Sequence, residues 1–486
     1  MSSNSMFNGR KRATGARPNK VDDSIFDSKS VVYQDAAGID IGSEAHYVSV
    51  PEDRAEPSVR TFGCFTTDIE AMAAWLTECR IQHVVMESTG VYWIPTYQIL
   101  TDAGFHVRLV DARHAKNVPG RKTDVWDCKW LRKLHTFGLL QSCFLPPVEV
   151  EEMRGYWRHR ATLLASASQY TLRMQKSLAL MNVQLHTVLS DTTGVTGQRI
   201  IRAILAGERD PSKLAAYRHK GCKHSYETYV KALTGNYQPE HVFTLKQSLA
   251  CFDFFQQQIA ECDLQLQGCL ATVEDREPPT PPEEPPAGST TEAQSGKSRR
   301  ERTSKNAPKF DLRIELIRIA GVDLTEIDGI NTMTFQTIIS ECGPNLKSYF
   351  STEKHFGSWL GLCPSNEITG GKVRKRRTRK VQNRVAQSLR VAAGTLHHSK
   401  SALGAFYRRL HGRVGAPKAI TATAYKLARL VWRMLTYGKA YVDIGQAAYE
   451  KQTEERALKA LTNRATSLGY SLVCKETGEI LTSAPA

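Results

Sequence analysis

The chain has 486 residues, enough for two or three domains with sizeable cores. Its formal net charge of +16 and pI of about 9.3 point to polyanionic partners. Eleven cysteines without a Cys-x-x-Cys pair argue against a zinc ribbon or a disulfide framework. Cys222 and His224 lack a second ligand pair at zinc-finger spacing, so reduced thiols are the better reading. No stretch has the apolar length of a signal peptide or membrane span, which predicts a soluble cytoplasmic protein with no membrane partner.

Residues 1–30 are polar, basic and rich in Gly and Ser, the composition of a disordered arm. From Val31 the pattern changes. "VVYQDAAGIDIG" and "AHYVSVPED" read as strands around a turn at Gly42–Ser43, and "SVRTFGCFTT" as a third strand. A helix, "DIEAMAAWLTECR", follows with Thr67 as its expected N-cap. "HVVMEST" suits a buried parallel strand, a helix spans about Trp93–Ala103, and "FHVRLVDA" is a fifth strand. Three antiparallel strands followed by alternating helices and strands is the RNase H-like order of an α/β domain over 31–148.

A helical or coiled-coil arm is expected over 149–274, with Leu163, Leu164, Leu172, Leu178, Leu180 and Met181 on its apolar side. Residues 275–309 hold six prolines between 278 and 286 and read as a Pro-rich linker. A mostly α C-terminal domain over 310–445 begins with "LRIELIRIAGVDLTEIDGINTMTFQTIISECG", a helix–hairpin–helix-like element whose "DGIN" turn could present amides to a phosphate. Further helices are expected at about 380–398 and 417–440. A charged helix and a small hairpin close the chain over 446–486.

Four carboxylates stand out. Asp40 occupies a strand position where an apolar residue is expected, and burial without a partner would be costly. Glu87 ends an apolar strand just before "STG". In an RNase H-like sheet the first and fourth strands are neighbours, so both can face one point. Asp124 and Asp127, in "RKTDVWDCKW", are at i,i+3 and share a helical face. Two Mg2+ ions (or Mn2+) need such hard oxygen ligands to activate an attacking oxygen and stabilise a leaving one. Taken singly, Asp124 suits a helix N-terminus and Asp127 a solvated first turn. Asp35, Glu44 and Asp111 read as turn or strand-end residues.

From Lys372 to Arg390 there are nine Lys or Arg residues and no acid. Such a run neutralises phosphates with strong salt dependence, although a solvated surface is the bland alternative. Gly370 and Gly371 would let the backbone approach a phosphate closely.

The GIDIG strand, the VMESTG strand end and the RKTDxxDxxxL helix together resemble the DEDD insertion-sequence transposases of the insertion sequence 110 type. The resemblance covers roughly residues 31–190 and 310–445. It implies a RuvC-like domain with a metal-binding catalytic tetrad at Asp40, Glu87, Asp124 and Asp127. It also implies double-stranded DNA as substrate, a non-coding guide (bridge) RNA and a homo-oligomer. In that family a serine before paired glycines attacks DNA and forms a transient covalent ester. Here the matching position is Thr369, a departure from the pattern. A threonine hydroxyl can do this chemistry, but its methyl crowds the oxygen. Ser365 is the other nearby hydroxyl, and a decayed, inactive copy is the third reading. On the family pattern Gly370, Gly371, Lys372, Arg374, Lys375, Arg376, Arg377, Arg379 and Lys380 would bind nucleic acid.

Three functions therefore compete: an RNA-guided transposase or recombinase with a hydroxyl nucleophile, a metal-dependent structure-selective nuclease using water, and a non-catalytic nucleic-acid-binding protein. The last leaves two acids in buried strands unexplained.

Overall fold

Alternation and short apolar runs place five strands in the first 110 residues: β1 (Ala36–Ile41), β2 (Ala45–Ser49), β3 (Val59–Gly63), β4 (His83–Glu87) and β5 (His106–Val110). In a computed structural model the described residues are 29–88, 90–111, 124–279, 305–379, 381–438, 445–475 and 480–481. Nearly all of the expected N-terminal arm, the linker centre at 280–304 and Lys380 lie outside them. The chain divides into two units, meeting between Leu145 and Pro146.

In the first unit the strand order is β3-β2-β1-β4-β5, with β1–β2 and β2–β3 antiparallel and β1–β4 and β4–β5 parallel. Helices α1 (Thr66–Glu78) and α2 (Trp93–Asp102) flank it. Ile39, Ile41, Val48, Val84 and Met86 join Ile69, Met72, Leu76 and Leu100 in one core. Successive strand residues face opposite sides. Val85 and Val110 accordingly meet Leu131 and Leu140 in a second cluster, beneath α3 (Asp124–Thr136). Thr67 is not the N-cap of α1: the helix starts at Thr66 after Phe65, and Asp68 accepts the Phe65 amide at 3.2 Å. A carboxylate in the first turn serves that amide and favours the positive end of the helix.

The second unit is built on α4 (Val148–Leu180) and α9 (Pro239–Thr272), which pack together and are joined by α5 (Leu185–Val188), α6 (Val195–Leu205), α7 (Pro211–Ala215) and α8 (Tyr226–Leu233). Met153, Trp157, Leu163, Ala167, Met174 and Leu178 of α4 are buried at helical spacing. Leu172 and Leu180 were expected on this stripe but fall off its period, and they are 65% and 50% exposed. Arg160 and Asp263, both buried, pair across the two helices with Nε–Oδ1 at 2.5 Å.

Then come α10 (Leu312–Ala320), a 3-10 turn at Leu324–Glu326, α11 (Thr332–Cys342), α12 (Leu346–Tyr349) and α13 (Glu353–Trp359). Strands β6 (Pro364–Thr369) and β7 (Lys372–Thr378) precede α14 (Arg384–Thr395), α15 (Ala402–Val414), α16 (Ala416–Tyr437) and α17 (Gly445–Ser467). The short pair β8 (Leu472–Val473) and β9 (Ile480–Leu481) ends the fold. Gly329 of the "DGIN" turn has φ of +91°, and a Cβ there would meet the Ala392 carbonyl at 2.9 Å, so the turn is packed against α14.

Both described ends of the expected 275–309 linker are tied into the second unit. Asp275 pairs with Arg318 at 2.5 Å, and Arg276 donates to the Pro344 and Leu435 carbonyls. Lys305 pairs with Asp191 at 2.5 Å.

Removing one member of a buried ion pair strands the other, at a cost of about 3–5 kcal/mol. Asp263→Ala should lower the urea midpoint accordingly, whereas Arg160→Met with Asp263→Leu should recover most of the loss. His135 in α3 is fully buried, with neither ring nitrogen hydrogen-bonded, and it stacks on Tyr33 at 4.6 Å. Burial, with Arg108 and His83 nearby, lowers its pKa to about 4. Its folded pKa is below the unfolded value, so its contribution is intact above pH ~6.5 and falls toward pH ~4, by about 1.4 kcal/mol per unit. Melting temperature should drop between pH 7 and pH 5, and His135→Phe should flatten that drop.

Candidate active site and nucleic-acid interface

Helix α3 crosses β1 at Gly38. A Cβ there would lie 2.4 Å from the Cys128 carbonyl oxygen and 2.5 Å from the Arg132 amide nitrogen, so only glycine permits this approach. The Val32 and Tyr33 amides, just before β1, donate to the Thr136 carbonyl at the end of α3. The helix therefore runs against the strand, and its first turn lies toward the carboxyl end of β1. Arg132 Nε donates to Ser49 Oγ at 3.2 Å and fixes the helix on β2.

The register of β1 and β4 pairs Ile39 with Met86. One step further, Asp40 stands beside Glu87, both on the α3 face of the sheet because Ile39 and Met86 lie in the opposite core. Glu87 is buried and Asp40 half-buried. Cys128, one residue after Asp127, is pushed up to about 12 by burial and then by the charge of Asp40. Asp127 is half-buried and Asp124 exposed. The fold thus sets Asp40 and Glu87 side by side on the sheet and points the acidic turn of α3 toward the same sheet end. Among the described residues no three His, Cys, Asp or Glu side chains converge closely enough to hold one metal ion. The donor set, carboxylate oxygen throughout, suits a hard divalent cation.

Tyr47 pairs with Asp40 across β1–β2, and Thr61 with Tyr47 across β2–β3, extending this row by two hydroxyls. Sequence reasoning passed over Tyr47, although its even spacing from Ala45 carried the signal. On the opposite face, His46 Nε2 lies 3.2 Å from Thr96 Oγ1 and 4.0 Å, through Nδ1, from Cys64 Sγ. Burial, then Asp68 and Glu44, raises the Cys64 thiol, which disfavours a reactive thiolate.

In the second unit the basic block is a β-hairpin. Gly370 and Gly371, with φ of +58° and +73°, form its two-residue turn, the left-handed geometry that hairpins favour. A Cβ at either would meet nothing within 4 Å, so turn conformation is what requires these glycines here. Thr369 pairs with Lys372 beside the turn, and Ser365 pairs with Arg377 nearer the base. A register shift between Glu367 and Ile368 leaves Arg374 as an extra residue on β7, a bulge that adds twist. Ser365, Thr369, Lys372, Arg374 and Arg377 are exposed. Four residues along a strand separate the two hydroxyls by about 13 Å, so they are not interchangeable at one phosphate. Arg379 donates to the Ser358 carbonyl at 2.6 Å and anchors the hairpin base to α13. Lys375 and Arg376 lie in β7 opposite Glu367 and Asn366. Lys380 lies outside the described residues.

Two family models match in chain order. One, described as a transposase of the DEDD, IS110 type, covers residues 37–183 and so includes Asp40, Glu87, Asp124 and Asp127. The other, "Transposase IS116/IS110/IS902 family", covers residues 321–408, including the β6–β7 hairpin. Two separate regions of the chain are thus similar to IS110-type transposases. It is also similar, at 27% identity over 130 residues, to "Putative transposase y4pF/y4sB" of Sinorhizobium fredii (strain NBRC 101917 / NGR234). That stretch is 24% of this chain and 32% of the relative, so the match spans about a third of the relative's length. No described helix is long and apolar enough to cross a membrane.

Overpacking at Gly38 should push α3 off the sheet. Gly38→Ala should cost about 1–3 kcal/mol in urea unfolding, and Gly38→Val more, whereas Gly104→Ala, with no atom within 4 Å but φ of +90°, should pay only backbone strain.

Proposed function

We propose that the chain is a DNA transposase that cuts and rejoins strands, using a divalent metal held on an RNase H-like sheet and a hydroxyl nucleophile on the β6–β7 hairpin. The observation that carries this reading is the register that sets Asp40 beside Glu87, below the acidic first turn of α3. Strand order β3-β2-β1-β4-β5 supports the RNase H-like assignment. Asp40 and Glu87 would hold the metal from the sheet, with Asp124 and Asp127 closing from α3. When bound, Mg2+ or Mn2+ would stabilise charge on the phosphate oxygens.

The chain's own residues supply the remainder. The Thr369 hydroxyl attacks a DNA phosphorus and gives its proton to solvent. One P–O ester bond breaks, and the departing strand end takes up a proton. A threonine phosphodiester results, and a second strand's hydroxyl reverses the step with no net loss of bond energy. Lys372, Arg374 and Arg377 would neutralise the flanking phosphates, together with Lys375, Arg376 and Lys380. Arg379, which anchors the hairpin base, would steady its orientation. The metal residues and Thr369 belong to different units, so both must reach one phosphate, within one chain or between copies in a homo-oligomer. Choice of sequence would fall to a guide RNA, a part of the reading supported by the family resemblance alone.

The test is adduct mapping. The full chain, with its co-purified nucleic acid, is incubated with DNA spanning its element's ends and Mg2+, denatured, and the DNA-linked peptide identified by mass spectrometry. The expected product is an adduct on Thr369, absent in Thr369→Ala and reduced at least a hundredfold in Asp40→Asn, since loss of a transition-state charge stabiliser costs about that much. An adduct on Ser365 would move the nucleophile. Cleavage without any adduct would replace the transposase by a hydrolytic nuclease.

A further inference from the structure

Glu341 of α11 is buried, yet three guanidiniums reach it from two other helices. Arg158 of α4 binds it with two nitrogens, Nε at 2.8 Å and Nη2 at 2.6 Å, and Arg154 Nε adds a contact at 3.1 Å. Arg384, the first residue of α14, approaches to 3.8 Å. One two-pronged arginine satisfies a carboxylate. The other two bring like charges together: Arg154 is held below its usual value by burial and then by Arg158. Glu341 is the one carboxylate in ion-pair reach of these arginines among the described residues, which leaves two positive charges in excess. The side chains of Arg154, Arg158 and Arg384 are 25%, 40% and 51% exposed, so donors remain open to solvent. Trp157 Nε1 donates to Thr337 Oγ1 at 3.1 Å and locks α4 on α11 beside them. The arrangement is cationic, with two positive charges unmatched by a carboxylate.

We propose that Arg154, Arg158 and Arg384, gathered by Glu341, form a phosphate-binding site for a nucleic-acid backbone, additional to the β6–β7 hairpin. Guanidinium forks fixed in advance lose little side-chain entropy on meeting a phosphate. The ligand's two negatively charged sources are duplex DNA and structured RNA, whose phosphodiester is the same. Arg384 follows Arg379, the hairpin's anchor, by five residues, which keeps that corner of the site within about 18 Å of the hairpin base. The proposal rests on the nucleic-acid reading above and needs no catalysis.

The test is binding of the full chain to a labelled 30-bp duplex and to a labelled RNA stem-loop, across a range of salt concentrations. Arg384→Gln leaves Glu341 with two guanidiniums. It should weaken binding roughly fivefold near 0.15 M salt and lower the slope of log Kd against log salt by about 1. Arg154→Gln with Arg384→Gln keeps the two-pronged Arg158–Glu341 pair and should lower the slope by about 2. Arg384→Lys should keep the slope. A fall on the duplex assigns the site to DNA, and a fall confined to the stem-loop assigns it to RNA. Unchanged slopes on both, in variants that melt like the parent, would overturn the proposal while leaving the transposase reading intact. Failure of the parent chain to bind either nucleic acid would overturn both.

Discussion

The close crossing of α3 over β1 governs the first unit. At Gly38 the helix backbone sits where a side chain would otherwise stand, and this fixes height, direction and rotation together. The opposed directions of helix and strand follow from the amides of Val32 and Tyr33 closing on Thr136. Rotation follows from Arg132 reaching Ser49. With those three settled, the first turn of α3 has one place to go, the sheet end where Asp40 and Glu87 adjoin. The positive end of a helix directed there favours negative charge on the adjoining Asp40 and Glu87.

The second unit handles charge differently. Its buried acids Asp263 and Glu341, and the half-buried Glu353, are each held by arginines from distant helices: Asp263 by Arg160, Glu341 by Arg154 and Arg158, Glu353 by Arg429 and Arg433. Burying a charge is costly unless it is paired, so each acid dictates where its partner helices sit. Arg160 with Asp263 is balanced one to one and buried. Glu341 and Glu353 carry more arginines than they neutralise, and these lie partly in solvent. The first kind fixes helix register; the second also displays cations.

Much of the first unit was legible in the sequence because its signals are local. Period-two alternation and the apolar run before Glu87 gave the strands, and the i,i+3 spacing of Asp124 and Asp127 gave their shared turn. What escaped depends on partners far along the chain. Nothing near Glu341 announces Arg154 or Arg384, and nothing in "EPPTPPEEPP" announces that Arg276 would seek the Pro344 and Leu435 carbonyls. The β6–β7 hairpin was hidden because an almost unbroken cationic run has no apolar alternation, leaving its paired glycines as the signal. Leu172 and Leu180 were misjudged because a 33-residue helix carries more leucines than its buried stripe can hold.

The Arg160–Asp263 pair has a consequence during synthesis. Its members are 103 residues apart, so at roughly 5–20 residues per second Arg160 emerges some 5–20 s before its partner. The first unit, complete by Leu145, can form on the ribosome in that interval. The helical arm cannot, because half of its packing surface is still untranslated and its central charge has no counterion. Nascent α4 is then an exposed amphipathic helix bearing an unpaired arginine. That makes the interval between the two codons the chain's most vulnerable period for chaperone capture or aggregation.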